Sequence, residues 1–424
     1  MMGWSKLFAV ALVALFFATL ITSSVPVRAQ AEPTWSTQII DTNSGQGAAI
    51  ALDSNNNPHI LYYQYENNSA NSQGELVYTN SSWTVPNVPI NTFINFALDS
   101  SNAPHILYNG ENGLMVDTWN GNWWAQQTVD PEGGAGFLAL DSAGNPQVAY
   151  KVTLPISTYG ANDDFSMLQY ASWNGTRWSK QTLDSPISYD NDVYLALDSN
   201  NTPHILYGYD NGHNSISAKY AVWNGSSWNI QTVFSGLAAY GNLVLDSKGN
   251  PHFVYAQNDS DALLYASYNG SAWNTQTVVP NADFGAIVAG FLALDRHDLP
   301  QIDYYGDGSL MYALWTGKTW DIQTIGTAID AGPIVVDSNG NPHIVFTRYV
   351  GPSSNFGPGY HFYTIYATAS ESPLVSTPSP SPSVPELSWL ITMPLLLSVF
   401  AVAVIVRHPK DSCSICEMQG KAKF

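Results

Sequence analysis

One motif returns seven times along this 424-residue chain and limits what it can fold into more than any other feature. An apolar run ends in Asp, a short polar stretch follows that bears Asn or Gly in six of the seven copies, and Pro-His-Ile or a near variant comes next. The Asp falls at positions 53, 99, 141, 198, 246, 295 and 337. The mean spacing is about 47 residues, the length of a repeat that makes one small sheet. A second motif, Trp-x-x-Gln-(Thr/Ile), starts at Trp35, Trp124, Trp178, Trp228, Trp273 and Trp320, with a degenerate copy at Trp83. A unit this short cannot bury its apolar faces alone, so neighbouring copies must stack.

Each unit reads as four short strands: the apolar run ending at the Asp, the Pro-His-Ile-x-Tyr segment, a Leu-x-Tyr-Ala-x-Trp type of segment, and the Trp-x-x-Gln strand. The spacing leaves no room for crossover helices, so the strands form an antiparallel meander. The expected fold is all-β: a seven-bladed β-propeller of four-stranded antiparallel blades. The first strand carries a finer pattern. Three residues before the Asp stand Ile50, Phe96, Leu138, Leu195, Leu243, Leu292 and Ile334, while the next position holds only Ala or Val. A large and a small apolar face suit a strand squeezed between neighbouring sheets near an axis. The repeats begin with a fourth strand at Trp35 and end with a third strand near residue 369. Residues 35–41 are therefore expected to pair with about residues 360–368, closing the last blade and removing two open edges.

Composition excludes some partners. With 14 Lys plus Arg against 33 Asp plus Glu, the net charge is -19, and no basic stripe can be built for nucleic acid. Both ends carry membrane signals. Lys6, the apolar run 7–21 and Ala29-Gln30-Ala31 read as a signal peptide over residues 1–31. Residues 389–406 lack charge and precede Arg407 and Lys410, the pattern of a transmembrane helix with a cytoplasmic tail over 407–424. Between them lie the propeller, 32–369, and a Pro/Ser-rich stem, 370–388, that favours extended polyproline II. The protein is thus expected to be exported and membrane-anchored, with its propeller outside. Cys413 and Cys416 sit in the tail, so no disulfide holds the fold. Outside the membrane the charge is near -23, with 8 cations against 31 acids in residues 32–386.

The Leu-Asp-Ser-x-Gly-Asn-Pro-His-Ile-x-Tyr and Trp-Asn-Gly-Ser-x-Trp repeats resemble those of secreted archaeal and bacterial β-propellers, and loosely the NHL and sialidase-type repeats, over roughly residues 35–369. Pro385-Glu386-Leu387-Ser388-Trp389, with the apolar span and Arg407, resembles the Pro-Glu-Phe type of carboxy-terminal sorting signal. Leu387 departs from the Phe, and 17 residues follow Arg407. Cleavage by a sortase-like enzyme and retention as a single-pass anchor both stay open.

Chain direction orients the disc: turns after the first and third strands lie at one end, and the remaining loops at the other, which faces away from the stem. Seven Asn-x-Ser/Thr sequons, at Asn67, Asn80, Asn174, Asn200, Asn224, Asn258 and Asn269, are candidate glycosylation sites, and the same tripeptides are good turn formers. The repeated Asp, His59, His105, His204, His252 and His343, and the tyrosines Tyr62, Tyr108, Tyr150, Tyr207, Tyr255 and Tyr304 recur in most units, which marks them as architectural.

Ligand-binding residues should break the repeat, in the outward loops. The candidates are Tyr159, Asp163 and Asp164 in the insertion 153–166, with Tyr189, Asp190 and Asp192 in the following loop. Asp130 and Asp330 belong to the same acidic rim. Carboxylates with aromatic rings suit sugar hydroxyls and ring faces, or calcium, although no calcium-loop spacing is present. Sialidase chemistry needs clustered arginines, and residues 32–386 contain only Arg177, Arg296 and Arg348. The leading reading is a non-catalytic binding module for a carbohydrate, a cation or a surface protein. A glycoside hydrolase or lyase with paired Asp among Asp163, Asp164, Asp190 and Asp192 is the second, and a structural surface-layer spacer the third.

Overall fold

A computed structural model describes residues 34–65, 72–79, 83–84, 93–153, 165–188, 192–210, 216–257, 260–281, 290–350 and 361–370. The signal segment, the stem from residue 371, the apolar span 389–406 and both cysteines lie outside the described residues. Within the described residues, no helix is long and apolar enough to cross a membrane.

The fold is all-β, a propeller-like arrangement of antiparallel sheets. Units are numbered here by their Asp, from Asp53 in unit one to Asp337 in unit seven. Three units are separate four-stranded sheets: unit two (Asn95–Leu98, Pro104–Gly110, Gly113–Trp119, Trp124–Asp130), unit three (Gly133–Leu140, Pro146–Thr153, Phe165–Trp173, Trp178–Ser188) and unit six (Phe291–Leu294, Pro300–Gly306, Ser309–Trp315, Trp320–Thr327). The others join in pairs, so five sheets are present among the described residues where the repeats led us to expect seven separate ones.

Strand continuity is the reason. Thr34–Leu52 is one 19-residue strand. Its first half pairs with His361–Ser370, in the register Trp35↔Ala369, Thr37↔Ala367 and Ile39↔Ile365, and its second half pairs with Pro58–Tyr65. It thereby fuses Ile334–Val336, Pro342–Val350 and His361–Ser370 with unit one in a seven-stranded sheet that ends with Ser72–Thr79 and Trp83–Thr84. Likewise Trp228–Tyr240 runs past its own unit (Val193–Leu197, Pro203–Asp210, Ile216–Trp223) to pair Leu237 with Gln257 in Pro251–Gln257. Gly236, at φ 79°, takes the left-handed backbone that this bend needs. Val244–Leu245, Ser260–Tyr268 and Trp273–Val279 complete that eight-stranded sheet.

Side chains repeat the same contacts from unit to unit. All seven large residues three before the Asp are buried. Fourth-strand tryptophans wedge against the preceding unit: Trp228 lies edge-on to Tyr170 at 5.2 Å and its Nε1–H donates to Gln181 at 2.9 Å. Trp35 does the same to unit six, 5.0 Å from Tyr312 with Nε1–H donating to Gln323 at 2.9 Å. The N-terminal strand therefore occupies the fourth position of unit seven in side-chain contacts as well as in register. Six residues after the Trp, Asp41, Asp130 and Asp184 each accept from the next unit's tyrosine, Tyr62, Tyr150 and Tyr207, at 3.1, 2.7 and 2.7 Å. Phe234 holds that position in unit four and stacks on Tyr255 at 4.8 Å. Tyr108 instead donates to Asp117 of its own unit, at 2.9 Å.

The far-end turns also close the circle. In every unit the Asp Oδ1 accepts from the backbone N–H groups two and four residues on, as Asp337 does from Asn339 and Asn341 at 2.8 Å each. The third residue after the Asp has positive φ in all seven turns. Where it is Asn or Asp, it also reaches the preceding unit's serine: Asn102 to Ser54, Asn201 to Ser142, Asp298 to Ser247 and, across 282 residues, Asn56 to Ser338. The motif histidines lie behind the turn carboxylates, with Nδ1 of His204, His252 and His343 bonded to Tyr220, Tyr265 and Tyr366. Burial pushes all five histidines below their ordinary pKa, against the opposing pull of the turn Asp. The architectural reading of these repeated residues is the one the contacts support.

Candidate functional site

The first strands of all seven units surround a cavity of about 410 Å3. The residues that line it stand two to six positions before the turn Asp, and every unit contributes one four positions before it, so it lies towards the end opposite the Asp turns. This volume lies in the range of small-ligand pockets. Its wall is mostly apolar, as the Ala and large-residue alternation dictates, with Phe137 and Phe291 partly buried in it.

Three polar residues interrupt that wall: Asn95, Asp192 and Asn242. Two of them are occupied in holding the units together. Asn242 Oδ1 accepts from Leu292 N–H at 2.7 Å while its Nδ2 donates to the Leu292 carbonyl at 2.9 Å, and Asn95 Oδ1 accepts from Leu138 N–H at 3.1 Å. Asp192 is different. Its backbone carbonyl accepts from the Tyr240 hydroxyl at 2.5 Å and its Oδ2 from the Tyr194 hydroxyl at 3.3 Å, yet the residue is exposed. Both tyrosines are buried, and Tyr194 packs edge-on to Phe137 at 5.5 Å. Burial, with the charge of Asp192 added, raises the Tyr194 hydroxyl well above its ordinary pKa, so it remains a donor. An anchored carboxylate with acceptor capacity beside aromatic rings can bind hydroxyl or amino groups.

No family model matches this chain, and no curated protein matches it. Solved structures do. An ulvan lyase of a polysaccharide lyase family, bound to GlcA(1-4)Rha3S, is 12% identical with a TM-score of 0.50, covering 74% of this chain and 93% of its own. Virginiamycin B lyase from Staphylococcus aureus is 10% identical, also at 0.50, covering 78% and 99%. The Aleuria aurantia lectin, in complex with alpha-methyl-L-fucoside, is 14% identical at a TM-score of 0.44, covering 69% and 99%. At such identities the likeness concerns the fold, which is that of β-propeller proteins.

Of the six residues singled out from the sequence, Asp192 alone is described, and it lines the cavity. Tyr159, Asp163, Asp164, Tyr189 and Asp190 lie outside the described residues, as do Asn67, Asn80 and Asn258. Asn174, Asn200, Asn224 and Asn269 are exposed, and the side chains of Asn174, Asn224 and Asn269 accept turn N–H groups two and three residues on. Two rim acids are placed differently from expectation. Asp130 is held by Lys180 at 2.9 Å and by Tyr150. Asp330 is turned inward, with a buried Oδ1 that has no hydrogen-bond partner. Asp303 went unnoticed in the sequence: it is wholly buried, its Oδ2 accepts from Gly332 N–H at 3.0 Å, and its Oδ1 has no partner. Among the described residues no group of three His, Cys, Asp or Glu is arranged to hold a metal ion.

Proposed function

We propose that the chain is a seven-bladed propeller, exported and anchored by its carboxy-terminal span, that binds a saccharide in the axial cavity without turning it over. The observation that carries this reading is the exposed carboxylate of Asp192, positioned by two buried tyrosines at a cavity of about 410 Å3. Carboxylates accept from paired hydroxyls, and the aromatic wall suits the apolar face of a pyranose ring. The blade count is supported by counting units rather than sheets: each of the two long strands serves two units. The ulvan lyase is named as a sugar-acting protein, which is consistent with this choice of ligand. A hydrolase or lyase needs a second reacting group near the first. Asp192 is the one carboxylate among the described residues of the cavity wall, and the binding reading requires no second one.

Titration calorimetry with neutral and amino disaccharides tests the reading. Measurable binding is expected for the wild type, and Asp192→Ala should weaken it by about tenfold or more, the effect of losing a charged hydrogen-bond acceptor. The melting temperature should fall only slightly, because the Asp192 backbone carbonyl keeps Tyr240 and only the long 3.3 Å bond from Tyr194 is lost. Absence of binding to every saccharide, or release of cleaved product on long incubation, contradicts the proposal.

A further inference from the structure

We infer that the axial cavity selects saccharides bearing a protonated amino group and disfavours acidic ones; this rests on the saccharide reading above and adds the ligand class to it. The positions of the positive charges lead to this selectivity. Residues 34–370 contain eight Lys and Arg, and every one of them is described. Lys180 and Lys219 are neutralised at 2.9 and 2.8 Å by Asp130 and Asp184. Lys151 is buried and engaged by a partner within the fold, and the Arg348 guanidinium lies 5.5 Å from the centre of the Tyr363 ring. The other four, Arg177, Lys248, Arg296 and Lys318, sit in or beside the turns at the far end.

Even the short first strand of unit six, from Phe291 in the cavity wall to Asp295 at the turn, spans about 13 Å. That exceeds the screening length of about 8 Å at physiological salt, so the far-end cations do not offset Asp192. No Lys, Arg or His is among the described residues that line the cavity. The segments not described contribute Glu66, Asp163, Asp164, Asp190, Asp259 and Asp283 to residues 34–370, and no Lys or Arg. A carboxylate or sulfate on an entering sugar would therefore meet Asp192 with no Lys or Arg on the described wall to pair with, whereas an ammonium group would complete an ion pair beside the Tyr194 hydroxyl. One like or opposite charge about 6 Å away at the effective dielectric of a protein surface, reduced roughly twofold by screening at physiological salt, changes affinity by roughly tenfold. On this ground the chain would not share the glucuronate- and sulfate-bearing ligand of the ulvan lyase.

The test is calorimetric titration of the full-length chain with three disaccharides: glucosamine-based, N-acetylglucosamine-based and galacturonate-based. Each is run at low and high salt, on wild type and Asp192→Asn. The amino form is expected to bind about tenfold tighter than the acetylated form and the uronate weakest. High salt should narrow that gap, and Asp192→Asn should cost the amino form more than the acetylated one. Uronate binding as tight as the amino form, or an amino preference that survives Asp192→Asn, overturns the inference while leaving a saccharide site in place. Failure of all three to bind overturns the saccharide reading itself.

Discussion

Asp330→Asn is expected to stabilise the folded chain by up to about 3 kcal/mol at pH 7. Burial raises the Asp330 carboxyl from 3.8 to about 6, and a hydrogen bond from the Thr347 backbone opposes this only in part. A group whose folded pKa is raised favours the fold below 3.8, and that advantage is lost as pH rises through about 6. By pH 7 the loss is complete, and a rise from 3.8 to about 6 corresponds to about 3 kcal/mol. Asn cannot ionise and can still accept from Thr347. Urea unfolding at pH 5 and pH 7.5 checks this: the gain from the substitution should at least nearly double between the two. A gain that does not change with pH contradicts it. Asp303, wholly buried nearby, is pushed the same way, by burial first and by the charge of Asp330, against hydrogen bonds from Gly332 and Phe291. The five buried histidines carry the opposite sign. Their folded pKa is depressed, so their contribution is full above the ordinary value of 6.5 and is lost as pH falls below it.

Trp35→Ala should cost about 2–4 kcal/mol, the range for truncating a large aromatic side chain that is mostly packed. The ring contacts Tyr312, its N–H is bonded to Gln323, and it packs against the cluster that includes Leu310, Ile344 and Ile365. The residue lies near the start of the repeats in sequence and touches unit six, so its removal weakens the join between the two ends of the ring. Hydrogen exchange makes the effect local: amides of His361–Ser370 should lose protection more than those of unit three. Equal loss in both, or a change under about 1 kcal/mol, would show that the first strand does not hold the last unit.

Much of this architecture is legible in the residues because it is local chemistry repeated. An Asp that must accept from two turn N–H groups, with an Asn or Gly at the position of positive φ, can be read directly. Trp35 in register with six later copies reveals ring closure for the same reason. The merging of sheets is not legible in this way. Whether a fourth strand bends away or runs on depends on tertiary pairing such as Leu237↔Gln257. At the site, Asp192 is detectable because it breaks the repeat. Asn95 and Asn242 were missed, although polar residues four before the turn Asp interrupt an otherwise apolar strand. Asp303 carries a plainer signal, since it stands where Leu61, Leu107, Ala149, Leu206, Val254 and Val345 stand in the other units. Asp330 reads as a rim residue because its loop position is visible and its packing is not. Its segment is drawn inward at Gly332, where a Cβ would lie 1.7 Å from the Val345 carbonyl oxygen.

The most direct measurement is a crystal structure of the protein soaked with a glucosamine-based disaccharide. Sugar density is expected at the mouth of the axial cavity, with an amino or hydroxyl group about 3 Å from an Asp192 carboxylate oxygen. Sugar bound only between units or on the outer strands, with the cavity empty, would contradict the proposed site.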